Sequence, residues 1–539
     1  MVPVPAAAAR LSTGDPALTY IEARAAAMSG DHAHAAELLA TLADAQPDQI
    51  QFAQQAITEA IGSGRMDLAL SLVGKLPADK LSTDARLLIV ANAVKQRRVD
   101  RALPWLKASG TTGDLSFLEP LLTAWDAAER GDQALALSSI AQIPTNGLMA
   151  PLRDEEQALI LLKFRRAADA EPFARRAIGT AGPRETQVRL ALADGFLAAG
   201  DRARAMAMID GIGSDSEAAR QRILAGKPSG EAIDTTSKAL STVLTAFGAE
   251  VARVQRAVPP IGLVQVARYA DPDNSSATAL LALLLDAQDR TQEALALLGA
   301  VPQGDPLISQ IRDVQVRILT EHKRFNEAYA LSAAALKDPT AGMADYSRFG
   351  NVLEAMDRHN EAADAYGRAI ALANAQGQKS ELWSLQLLRA NSLEQADRWP
   401  EAKAALQQGL ASSPDQPLLL NFLGYAKLER GEDMEAAEAM IRKASDLAPD
   451  DASITDSLGW AQFKRGKVDE AIETLQRAAE KDPDQAEIQE HLGDALFKSG
   501  RRFEARFAWN AALVTAEDEV ATRVKAKLAS GLTSANAAP

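Results

Sequence analysis

Alanine recurs along this chain at a nearly fixed interval, each time in a charged or turn residue followed by Glu-Ala or its equivalent. The positions are Ala35, Ala69, Ala102, Ala136, Ala170 and Ala205, then Ala294, Ala328, Ala362, Ala402, Ala437, Ala471 and Ala505. The steps between them are 34, 33, 34, 34 and 35, then 89, then 34, 34, 40, 35, 34 and 34. Scattered alanine would not hold phase over so many copies. A period near 34 marks a stacked unit that buries its apolar face only against its neighbours.

The interior of one unit shows what is repeated. Between Ala452 and Gln485, Leu458, Gly459 and Ala461 share a helical stripe, and Gly466 ends that helix. Asp469 opens a second helix carrying Ala471, Leu475 and Ala478, and Pro483 stops it. The flanking units repeat the plan, with Leu423, Gly424, Gly431, Ala437, Ala444 and Pro449 before it and Leu492, Gly493, Gly500, Ala505, Trp509 and Ala512 after it. Glycine in one helix and alanine in the next let two helix axes approach, while Leu475 and Trp509 fill the space between hairpins. The expected fold is all-α.

The order Leu458-Gly459, Ala471, Ala478, Pro483 resembles the tetratricopeptide repeat, over most of residues 16–515. The resemblance implies a right-handed superhelical solenoid of about 14 helix-turn-helix repeats. Thirteen have a ladder alanine, and a fourteenth, irregular repeat ends at Asp271-Pro272 with Ala267 in its last helix.

The breaks in phase suggest a domain plan. The 89-residue step holds Gly211-Ile212-Gly213, Gly226 to Gly230 and Pro259-Pro260, and leaves room for a short helix around Ser216–Leu224. We expect a flexible segment at 1–15, an N-terminal superhelix at 16–205, an irregular joint at 206–272 and a C-terminal superhelix at 273–515. The 40-residue step places a polar loop at Ala375 to Ser380. Val520, Val524 and Leu528 form one stripe of a capping helix within 516–539, and a disordered tail is expected after Thr533.

Composition narrows the chemistry. Asp and Glu (72) exceed Lys and Arg (58), for a net charge of −14, which argues against nucleic acid and against an anionic membrane surface. With no cysteine there is no disulfide, thiolate metal site or thiol nucleophile. The longest apolar run, Ala279 to Leu285, falls short of the about 20 residues that span a bilayer, so no direct membrane insertion is expected. The first ten residues show neither a basic leader nor an apolar signal region.

No catalytic constellation emerges. His32 and His34 are two apart and point to different sides of a helix, while His322, His359 and His491 read as surface residues near turns. Gly226-Lys227 runs into Pro228, unlike a phosphate loop, and Gly211-Ile212-Gly213 lacks a third glycine. Asp154-Glu155-Glu156 reads as an acidic start to an apolar helix at Ala158–Phe164. We therefore expect no enzyme activity, no cofactor and no metal.

In tetratricopeptide folds the first helix of each hairpin lines a concave groove. Carried over by repeat phase, the candidate partner-binding residues are Asn391, Asn421, Tyr425, Asp456, Trp460, Glu490 and Asp494. Trp460, beside Tyr425 and Asp494 in repeat phase, is the candidate anchor, and Phe463 and Phe497 are assigned to packing. The clamp by which some family members grip chaperone tails maps onto Leu387, Asn391, Phe422, Ser453 and Ser457, where only Asn391 fits. Residues 380–515 also resemble large proteobacterial envelope proteins of this type, through Asn421 to Tyr425, Asp456 to Trp460, Glu490 to Asp494 and Gly500 to Ala505. Some of those are lipoprotein adaptors of carboxyl-terminal processing proteases; this chain shows no lipid-bearing cysteine. The resemblance implies a periplasmic or envelope adaptor whose partners are proteins, a protease or an assembly factor among them. A cytoplasmic assembly scaffold, or an enzyme with its site in 206–272, are the alternatives.

Overall fold

The computed structural model describes residues 15–107, 113–146, 149–210, 212, 217–254, 258–338, 341–375, 377 and 382–538. Among them are thirty α-helices and no strand; twenty-eight of the helices pair into fourteen successive hairpins, and Glu217–Leu224 and Asp518–Ser530 stand outside them. The first hairpin joins Pro16–Met28 to His32–Ala45, and the last joins Ala486–Lys498 to Arg502–Thr515. No described helix is long and apolar enough to cross a membrane.

All thirteen ladder alanines are fully buried. The partner position explains why. A Cβ built on Gly459 would lie 2.6 Å from Leu475 Cγ, and one on Gly424 would lie 2.7 Å from Ile441 Cγ1. Both distances are impossible, so the glycine admits the large residue that closes the hairpin. Helix starts are set by local chemistry: Asp451 accepts a hydrogen bond from the Ile454 amide at 2.9 Å and Asp31 from His34 at 3.0 Å. Each such cap contributes about 1 kcal/mol. Gly466, at φ 78°, makes the left-handed turn between the two helices of its hairpin.

The chain divides into two compact units, Met1–Leu331 and Ser332–Pro539. In the first, the 89-residue step resolves into an extra helix, Glu217–Leu224, and a hairpin of Thr236–Val254 with Ile261–Ala270. Ala267 is buried in that hairpin's second helix. Segment 206–272 thus lies inside the first unit, and Gly211 and Gly213 fall outside the described residues. The loop before Thr236 is tied down: Asp194 accepts from the Ser229 amide (2.6 Å), the Ser229 hydroxyl (2.8 Å) and the Gly230 amide (3.0 Å). Helix Thr236–Val254 buries Ala239, Leu240, Val243 and Leu244 and packs against Thr83–Lys95 and Glu119–Glu129, the first helices of two earlier hairpins. Phe117 and Phe247 meet edge to face at 5.5 Å. The unit thereby fills part of its own inner face.

The structure departs from the sequence expectation at the acidic triplet and at the chain's end. The acidic triplet does not open a helix, because that helix begins at Ala150 with Pro151 in its first turn. Glu156 is instead fully buried and accepts the Trp125 indole N–H at 2.7 Å. Burial, reinforced by Glu155, raises its carboxyl to about 8. The end of the chain is packed as far as it is described: Ala538 is 3% exposed, and its amide donates to Asp494 Oδ2 at 3.3 Å. Segment 1–15, expected to be flexible, and the loop expected at 375–380 fall largely outside the described residues.

The second unit ends in five hairpins and a closing helix. Hairpin I pairs Met343–Glu354 with His359–Ala375, and hairpin II pairs Leu382–Gln395 with Trp399–Ser412. Hairpin III pairs Pro417–Glu429 with Met434–Leu447, and hairpin IV pairs Ala452–Lys464 with Val468–Lys481. Hairpin V is Ala486–Lys498 with Arg502–Thr515, and the closing helix is Asp518–Ser530.

Candidate functional site

The first helices of hairpins II to V lie side by side and leave a groove of about 570 Å³. Repeat phase dictates the lining, because residues one turn apart on each first helix project into it. Leu387, Leu388 and Asn391 come from hairpin II, and Leu418, Asn421, Phe422 and Tyr425 from hairpin III. Ser453, Asp456 and Ser457 follow from hairpin IV, then Glu487, Glu490 and His491 from hairpin V and Arg523 from the closing helix. One wall is apolar, with Leu388 37% and Leu418 44% exposed. The other is polar.

Five of the seven candidates meet in this groove: Asn391, Asn421, Tyr425, Asp456 and Glu490. Asn391 is exposed. Asn421 is half-buried, and its Oδ1 is buried without a hydrogen-bond partner among the described residues. Burial, with Glu429 and Asp456 nearby, pushes the Tyr425 phenol well above its ordinary range. The residues at the chaperone-clamp positions, Leu387, Asn391, Phe422, Ser453 and Ser457, all line the groove too.

Trp460 and Asp494 are placed differently. Trp460 is 1% exposed, so it is a packing residue beneath the wall and not an open anchor. Its ring stacks on His491 at 4.1 Å and on Phe463 at 4.9 Å. Helical spacing alone misplaces it, because a large ring beside Gly459 turns into the space between hairpins. Asp494 is fully buried, accepting from Trp509 Nε1 at 2.9 Å and from Lys527 Nζ at 2.7 Å.

His491 is likewise not a surface residue. It is 5% exposed, and its Nδ1 lies 2.9 Å from Asp456 Oδ2. Burial alone would lower the imidazole, but Asp456 first, then Asp494 and Glu490, hold it above its ordinary 6.5. The groove's acids are therefore counterbalanced from below and beside. Glu490 accepts from Lys527 at 2.6 Å and from Arg523 at 2.9 Å, and despite its burial these cations keep its carboxyl below the usual range.

In the closing helix, the apolar stripe is legible from sequence, but the role of the cations Arg523 and Lys527 is not. A signal exists: they stand four apart, as Glu490 and Asp494 do, and about one repeat further along. A site of this kind offers apolar contact along one wall, amide and hydroxyl groups along the other, and little net charge.

Comparison with known proteins bears on the repeats. A family model described as "Tetratricopeptide repeat" matches residues 387–452, and one described as "TPR repeat" matches residues 459–500. No curated protein sequence matches the chain. Among solved structures, Cut9 in the APC/C hetero-tetramer Cut9-Hcn1 is similar at 15% identity, with 96% of this chain and 97% of that one covered and a TM-score of 0.38. Yeast Tom70 is similar at 11% identity, with 95% of each chain covered and the same score. YrrB, described as a TPR protein with an unusual peptide-binding site, is similar at 18% identity over 36% of this chain and 97% of its own, with a TM-score of 0.28. The two family matches fall within hairpins II to V and contain Ala402, Ala437 and Ala471, so residues 387–452 and 459–500 are tetratricopeptide repeats by sequence.

Proposed function

We propose that this chain is a non-enzymatic adaptor whose second unit holds a peptide segment or helix of a partner protein in the groove of hairpins II to V. The observation that carries this reading is the groove's lining: hairpins II and III supply the apolar side chains Leu387, Leu388, Leu418 and Phe422, and hairpins II to IV supply the amides and hydroxyls of Asn391, Asn421, Ser453 and Ser457. A peptide presents the same two chemistries, side chains that seek Leu388, Leu418 and Phe422 and backbone groups that pair with Asn391, Ser453 and Ser457. The buried, unpaired Asn421 Oδ1 suits a backbone N–H of the occupant. The sequence blocks at residues 421–425, 456–460, 490–494 and 500–505 favour a bacterial envelope setting for the adaptor.

The test is positional. A photo-crosslinking residue at Leu388, inside the groove, should capture a partner from native extract, while the same residue at Gln476, on the second helix of hairpin IV, should not. Capture from Gln476 alone would refute the groove reading.

A further inference from the structure

The outer face of the last hairpin departs from those before it. In hairpins III to V the positions two before, two after and nine after the ladder alanine point away from the core. In hairpin III they are Glu435, Ala439 and Asp446, and in hairpin IV Asp469, Glu473 and Glu480, all exposed. In hairpin V they are Phe503, Phe507 and Val514, which are 74%, 63% and 81% exposed. The two phenyl rings meet edge on, 4.9 Å between centroids. With Asn510 between them and Val514, positions 503, 507, 510 and 514 are spaced as the seam of a heptad. The two preceding hairpins carry acids and one small alanine at these places. Three large apolar side chains in one exposed stripe mark an interaction surface.

Charge around the stripe says what covers it. On the closing-helix side stand the exposed Arg502 and Arg506, the latter donating to the Leu528 carbonyl at 2.6 Å, and beyond them Lys525. On the other side stand the acids of hairpin IV. One face thus holds an apolar seam, a cationic flank and an anionic flank.

We propose that this face docks a second copy of the chain, the two Arg502–Thr515 helices lying parallel about a two-fold axis. That operation sets the cationic flank of each copy against the acidic flank of the other, whereas an antiparallel pairing would set like against like. Phe503, Phe507 and Val514 then meet their own counterparts along the seam.

Light scattering on the full chain over a wide concentration range tests the proposal. The mass should rise from the 57.3 kDa of one chain toward twice that value. The double variant Phe503→Glu/Phe507→Glu should stay monomeric with an unchanged melting temperature, since both rings are exposed. Arg506→Glu and Glu473→Arg should each weaken association about tenfold, and the two together should restore much of it. A wild-type chain that remains monomeric overturns the proposal. So does a dimer indifferent to the phenylalanine variant, or a double charge reversal no tighter than either single one.

Discussion

His491 and Trp460 are stacked ring on ring under the polar wall of the groove, and the pair makes two residue-scale outcomes predictable. The imidazole is held above its ordinary 6.5 by the carboxylates around it. A folded-state value above the unfolded one means that protonated His491 contributes stability that is fully present below pH 6.5 and is lost as pH rises through the folded value. Chemical denaturation of wild type and His491→Gln should therefore show the largest gap under mildly acidic conditions, shrinking as pH rises; a gap that widens with pH would contradict the Asp456 pairing. Trp460→Ala should cost about 3–5 kcal/mol of stability, as large aromatic truncations in cores do, and should weaken partner binding only through unfolding. Normal stability with lost binding would return the indole to the groove surface. Neither burial was legible from sequence. Spacing tells which side of a helix a residue occupies, but not whether a ring lies over the groove or folds beneath its rim.

At the scale of elements, the hairpin contact was fully legible, because close approach admits only small residues and so leaves a countable ladder. Ala471→Leu should overpack that contact and cost about 1–3 kcal/mol, while Ala404→Leu, on an exposed face of hairpin II, should be close to neutral in the same thermal melts. Equal melting temperatures would break the phase assignment. Links between hairpins were less legible, since a cation and an acid a repeat apart read as solvated charges. Glu438 is such a link: it is 3% exposed, accepts from Arg442 at 2.7 Å on its own helix, and reaches Arg465 at 2.5 Å and Lys467 at 2.9 Å in hairpin IV. Burial opposes its charge, but these three cations bring its carboxyl down to about 2 from 4.5. A depressed folded value means stability present above pH 4.5 and lost as pH falls toward 2. Glu438→Gln should therefore cost on the order of 2 kcal/mol at neutral pH and little near pH 2, as read by urea titration. A cost that persists in acid would place the effect in packing instead. The closing helix teaches the same lesson, for Arg523 and Lys527 are hidden behind the apolar stripe of Val520, Val524 and Leu528.

For the molecule as a whole, the period announced the all-α architecture and the number of hairpins, and the 89-residue step announced the short helix at Glu217–Leu224 and the irregular hairpin that buries Ala267, but not the length or packing of that hairpin's first helix. Thr236–Val254 shows why: a helix of 19 residues that packs on earlier first helices follows the shape of its own unit and not the 34-residue rhythm. That helix covers part of the inner face of the first unit, whereas the groove of the second is lined by side chains that no described helix of that unit covers. We propose this groove as the place where a partner binds. Titrating the segment recovered by crosslinking onto wild type and onto Leu388→Glu/Leu418→Glu tests it most directly, since both leucines are exposed on the rim and their replacement spares the core. Affinity should weaken at least about tenfold with an unchanged melting temperature. Equal affinity for the two proteins would contradict it.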